Sequence, residues 1–83
     1  MKKITIYTTP SCTYCRQAKE FFKEKNIGYE EHNVLTDVIK RQEMVDKSGQ
    51  MGVPVIIISD LDGATEEIII GFDRPRLAKL LNA

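Results

Sequence analysis

The stretch KKITIYTTPSCTYCRQAKEFF, residues 2–22, decides the fold. Residues 3–8 alternate apolar and polar, the period-2 pattern of a half-buried strand, and Pro10 and Ser11 break it. From Cys15 the apolar positions are Cys15, Ala18, Phe21 and Phe22, which is helical spacing, and Asn26 and Gly28 stop that helix. Cys12 therefore falls where a strand hands over to a helix. Cys15 follows one turn later on the same side. A helix N-terminus aims unpaired amides and a partial positive charge at Cys12, which stabilises a thiolate, while Cys15 faces the core.

Outward from this unit, residues 28–34 read as a second strand. Thr36 or Asp37 can cap a second helix running to about Ser48, with Leu35, Val38, Ile39 and Val45 expected to face inward and Gly49 to end it. Val55 to Ile58 is a continuous β-branched run, the mark of a strand buried on both faces. Asp62-Gly63 is a hairpin signal, and residues 65–70 form the returning strand. Asp73 can cap a last helix, Pro75 suits its first turn, and Leu77, Leu80 and Leu81 supply its apolar face. The order βαβαββα predicts an α/β fold with a four-stranded mixed sheet and helices on both faces.

A chain of 83 residues is read as one domain, 1–83. Apolar residues at 42% and charged residues at 29%, with zero net charge, exclude a disordered chain. Twelve basic and twelve acidic residues alternate, as in Lys23-Glu24-Lys25, rather than cluster, so no nucleic acid partner is expected. No apolar run reaches the ~18 residues of a membrane span, and Ile4 to Tyr7 is too short for a signal-peptide core. A cytoplasmic monomer is the expectation. A disulfide closing four residues would contribute only ~2 kcal/mol by loop entropy. The pair at 12 and 15 is therefore there for its chemistry, redox or metal-binding.

Magnitudes say what the placement achieves. A thiol of pKa ~8.5 is only ~3% ionised at pH 7. Lowering the pKa to about 5 raises that fraction roughly 30-fold, but the fall in intrinsic nucleophilicity takes back about as much. The net gain is that Cys12 becomes a good leaving group and a preferred electrophile in a mixed disulfide. Gly52-Val53-Pro54, entering the buried strand, is a second feature. Its X-Pro bond is either cis, turning the Val53 amide and carbonyl toward an extended substrate, or an ordinary trans strand start.

Taken together, Cys12-Thr13-Tyr14-Cys15 after a strand, Gly52-Val53-Pro54 at the third strand and Gly71-Phe72-Asp73 before the last helix resemble the glutaredoxins over nearly the whole chain. Gln50-Met51-Gly52-Val53-Pro54 with Ile70-Gly71-Phe72-Asp73 is most similar to the short bacterial and archaeal glutaredoxin-like proteins of the YruB type. The resemblance implies a thioredoxin fold and a cis Pro54. It also implies a disulfide oxidoreductase with Cys12 as nucleophile and Cys15 as resolving thiol, with glutathione as co-substrate and no tightly bound cofactor. Its partners would be glutathione and disulfide-containing or glutathionylated proteins. By that likeness Val53 pairs with the glutathione cysteine backbone and Tyr14 flanks the sulfur. Gln50 reaches the glycyl end, and Gly71, Phe72 and Asp73 receive the γ-glutamyl carboxylate at a helix N-terminus. Four positions depart from the family pattern: Thr9, Gln50 and Met51 stand where a basic residue is common, and Thr13 replaces a frequent proline.

His32, the single histidine, reads as a packing or surface residue. Zinc needs four ligands, and Cys12, Cys15 and His32 make three at best, so no metal site is expected. Phe21, Phe22 and Tyr7 read as core. Gly49-Gln50-Met51-Gly52 matches an RNA-clamping Gly-x-x-Gly loop but lacks basic neighbours and the right element order. Two other functions are compatible with the resemblance: a redoxin reduced by thioredoxin reductase and serving ribonucleotide reductase, and a non-enzymatic [2Fe-2S] carrier.

Overall fold

The computed structural model describes residues 2–60 and 66–81. In chain order these form β1 (Lys2–Thr8), α1 (Thr13–Glu24), β2 (Glu30–Asn33), α2 (Val38–Ser48), β3 (Val55–Asp60), β4 (Glu66–Ile70) and α3 (Arg74–Leu81). The sheet order is β2-β1-β3-β4, with β1 parallel to β2 and antiparallel to β3, and β3 antiparallel to β4. The expected mixed sheet is borne out. The Asp62-Gly63 turn lies outside the described residues.

The pleat of β1 sorts the core into two layers. Ile4 and Ile6 point to one face and pack with Ala18, Phe21 and Phe22 of α1, Ile56 and Ile58 of β3, Ile69 of β4 and Leu77 of α3. Tyr7 points to the other face, with Val34, Met44 of α2, Val55 and Ile57. Residues 55–58 of β3 are buried throughout because helices cover both faces there. Phe21, Phe22 and Tyr7 are core, as read from sequence.

Each helix end is closed by a local device. α1 ends in a Schellman motif: Ile27 donates its amide to Phe22 and Asn26 to Lys23, with Asn26 at φ 56. Of the two candidate caps of α2, Asp37 serves, accepting the Lys40 amide at 3.0 Å, while Thr36 donates to the Asn33 carbonyl. Gly49 ends α2 at φ 73. Asp73 caps α3, accepting the Arg76 amide at 3.2 Å.

One expectation is corrected. Leu35, Val38 and Ile39 do not face inward; all three are exposed, and Met44 is the buried residue of α2. At 3.6 residues per turn, Val38 and Ile39 lie roughly 120° and 140° from Met44 around the helix. They cannot share its face. The inward side is instead Lys40, Glu43, Met44, Val45 and Ser48, partly polar and fully usable because Tyr7 presents a hydroxyl to it. That hydroxyl donates to Glu43 Oε1 at 2.7 Å. Burial and then this bond hold the Tyr7 phenol well above its ordinary range, and the bond holds Glu43 below the usual carboxylate range.

Candidate active site

The end of the sheet where β1 and β2 finish and β3 begins gathers the predicted residues. β1 leaves the sheet through Thr9–Ser11, and the Cys12 amide donates back to the Thr9 carbonyl at 3.3 Å. Cys12, at φ −82 and ψ 114, is the N-cap of α1. Its Sγ accepts the Cys15 amide at 3.1 Å, and its carbonyl accepts the Arg16 amide at 3.2 Å. The two cysteines form a disulfide, with Cα atoms 5.2 Å apart. Cys12 is half-buried and reachable, whereas Cys15 is 1% exposed. No acidic residue stands in the first turn of α1 to oppose a negative sulfur.

The other strands complete the site. Val55 pairs with both Tyr7 and Ile70, so Pro54 and Gly71 adjoin the exit of β1. Gly71 donates its amide to the Pro54 carbonyl at 2.9 Å, and the Val53–Pro54 bond is cis. Gly71 sits at φ 81, a conformation that a side chain would strain. Phe72 is half-buried, edge-on to Phe21 with ring centroids 6.2 Å apart. Arg74 lies over the same Phe21 ring, 5.0 Å from its centroid, and ties α3 to Glu24 of α1 at 3.6 Å. Two of the first three amide positions of α3 are committed: Pro75 has no N–H, and that of Arg76 is bonded to Asp73. This terminus offers an incoming carboxylate less than the sequence suggested.

Tyr14 is exposed in the first turn of α1, beside Cys12. Gln50 stands on the loop from α2 to Pro54, its amide donating to Ser48 Oγ at 3.1 Å. His32 lies away from the cysteines on β2, its ring 5.6 Å from that of Tyr7.

Sequence reading missed a polar tie directly behind the site. Thr8, the last residue of β1, is 2% exposed and donates to Glu31 Oε2 at 2.7 Å, and Lys19 of α1 donates to the same oxygen at 2.9 Å. The signal was available: Thr8 continues the Ile4, Ile6 phase, so a hydroxyl had to point at the core face and find a partner. Burial pushes the Glu31 carboxyl up, but Thr8 and Lys19 together outweigh it and hold it below the ordinary range. A depressed carboxyl contributes stability that is complete above its unfolded pKa of ~4.3 and lost as pH falls through the lower folded value. Thr8→Val is expected to cost about 1 kcal/mol at neutral pH, below the roughly 1.5–3 kcal/mol of a buried bond to a charged group because Glu31 is partly exposed. Its acid-unfolding midpoint should move to higher pH. Circular dichroism between pH 2 and 7 checks this, and an unmoved midpoint would contradict the tie.

A cysteine pair at a helix N-terminus, opposite a cis-proline loop on a β2-β1-β3-β4 sheet, defines a protein of the thioredoxin superfamily. Within it, the chain belongs to the glutaredoxin family, whose model matches residues 4–61. A glutaredoxin-like 8.6 kDa protein in the rubredoxin operon of Clostridium pasteurianum is 44% identical over 78 residues, covering 94% of this chain and 96% of its own. Glutaredoxin 3 of Escherichia coli is 36% identical over 58 residues, 70% of either chain. Among solved structures, the thioredoxin-like protein BC3987 superposes with a TM-score of 0.79 at 33% identity, over 94% of this chain and 99% of that one. With Cys12 and Cys15 in place, the chain is a thiol-disulfide oxidoreductase. Among the described residues, no helix is long and apolar enough to cross a membrane.

Proposed function

We propose that this chain reduces protein disulfides and glutathione mixed disulfides, with glutathione as its co-substrate. The observation that carries the reading is the Cys15 amide aimed at Cys12 Sγ from the helix N-terminus. In the reduced protein, that amide favours a Cys12 thiolate, which attacks one sulfur of the substrate and expels the other as a thiol. Cys15, one turn on and shielded, then attacks Cys12 Sγ, releasing the second thiol and closing the disulfide. Alternatively, a glutathione thiol resolves the adduct. Tyr14, Gln50, Val53, Pro54, Gly71, Phe72 and Asp73 would line the glutathione position. The Gly71–Pro54 hydrogen bond supports this by joining the two outer segments of that set.

A second reading has an observation behind it. Thr9, Gln50 and Met51 leave the site short of the cations that a substrate with two carboxylates wants, and Met51 is 72% exposed. These features favour reduction by a flavoprotein reductase rather than by glutathione. The two are separated by following one disulfide substrate with glutathione, glutathione reductase and NADPH, and in parallel with thioredoxin reductase and NADPH. Faster turnover in the first mixture is expected; turnover only in the second would replace glutathione as the reductant.

A further inference from the structure

Among the described residues, the large apolar side chains that remain 48% to 79% exposed are Tyr14, Leu35, Val38, Ile39, Met51 and Ile70. All six stand at the end of the molecule that carries Cys12. Tyr14 is in the first turn of α1, Met51 precedes the Pro54 loop, and Ile70 ends β4. Leu35, Val38 and Ile39 follow β2. The Val34 amide donates to the Thr8 carbonyl at 2.9 Å, so the chain leaving β1 for Cys12 and the chain leaving β2 for this ridge part from the same sheet edge. They begin one strand spacing apart, ~4.8 Å. An apolar concentration of this kind on an otherwise charged surface marks an interaction site.

We infer that the Leu35–Val38–Ile39 ridge docks the polypeptide substrate, selecting disulfides flanked by apolar side chains. Two observations fix the kind of occupant. The ridge starts one residue past the Val34–Thr8 hydrogen bond, at the strand end from which β1 leaves for Cys12. Between Asn33 and Ile39 the only charged residue is Asp37, whose carboxylate is engaged by the Lys40 amide as a helix cap. No cation stands within that segment to attract a small anionic tripeptide, whereas an apolar segment finds three side chains. The inference deepens the oxidoreductase reading and rests on it. The reaction served is balanced within the pair: reduced Cys12 and Cys15 give two electrons and two protons to one partner disulfide, yielding two partner thiols and the Cys12–Cys15 disulfide.

The test is single-turnover oxidation of the pre-reduced protein by three disulfides. One is a peptide pair with Leu and Phe beside each cysteine, one a matched pair with Ser and Gln, and one bis(2-hydroxyethyl) disulfide. The wild type is expected to react with the apolar pair about tenfold faster than with the polar pair, a difference of about 1.4 kcal/mol. The Leu35→Gln/Val38→Gln/Ile39→Gln variant is expected to lose that preference while its rate with bis(2-hydroxyethyl) disulfide stays unchanged. All three positions are exposed and Gln is a good helix former, so folding should survive. Should the triple variant fail to fold, Ile39→Gln alone should reduce the preference in the same direction. A wild type without preference, or a folded variant that keeps it, would overturn the docking role. So would wild-type self-association that the variant abolishes, which would assign the ridge to a second copy. No oxidation by any of the three disulfides would instead sink the redox reading beneath it.

Discussion

Cys12→Ser is expected to abolish disulfide turnover, by at least about a thousandfold, with the fold intact. The hydroxyl of serine is not ionised near neutrality and cannot form the mixed disulfide, so the covalent route is closed rather than slowed. The same change is benign for the helix. Cys12 is the N-cap of α1, and serine is among the preferred N-cap residues, with an oxygen that accepts from the Cys15 amide at least as well as sulfur. Loss of activity with an unfolding transition matching that of the reduced wild type, which likewise lacks the Cys12–Cys15 disulfide, therefore isolates the nucleophile from its structural duty. Cys15→Ser should behave differently: attack survives, and the Cys12 adduct accumulates, visible by mass spectrometry, until a glutathione thiol resolves it. In that variant the lone Cys12 should ionise below the ordinary thiol value of ~8.5, read from thiolate absorbance against pH. A midpoint at or above that value would remove the physical basis of the mechanism.

How much of this was open to reading from residues depends on whether the local signal and the tertiary demand agree. In the β1–α1 unit they agree. Alternation, a proline break and helical spacing each act over a few residues, and together they put Cys12 at the strand-to-helix junction, where it is the N-cap of α1. β3 was legible because four β-branched residues in succession have no amphipathic alternative. The junction of Pro54 with Gly71 was available only through the resemblance, since it joins segments far apart in the chain.

In α2 the two demands diverge. Leu35, Val38, Ile39, Met44 and Val45 do not fit one stripe, and hydrophobicity alone favours the larger group. The sheet decides otherwise, because Tyr7 offers both an apolar ring and a hydroxyl, and the face bearing Glu43 and Met44 satisfies both. The apolar residues displaced outward are then left at the redox end of the molecule. What reads as a prediction error in packing is thus also the clue to a docking surface.

Met44→Ala is the stability change with the largest expected effect, about 2–5 kcal/mol. The size follows from how little else holds α2 down. Met44 is the buried residue on that helix, seated among Tyr7, Val34, Val55 and Ile57, with Val45 partly buried beside it. The Lys47–Glu66 pair is more than two-fifths exposed on both sides and adds at most about 1 kcal/mol. The Tyr7–Glu43 bond is stronger, yet Tyr7→Phe should cost only about 1 kcal/mol, because Glu43 keeps Lys40 as a partner at 3.3 Å. Against a total of about 5–15 kcal/mol for a domain, losing Met44 alone removes a large fraction. The urea midpoint should fall with little change in slope, and amides of residues 41–48 should exchange faster than those of α1, since the lesion lies under one helix. If Tyr7→Phe proved the more damaging of the two, the polar tie and not the buried thioether would be what fastens α2, and with it the strand entry at Pro54, to the sheet.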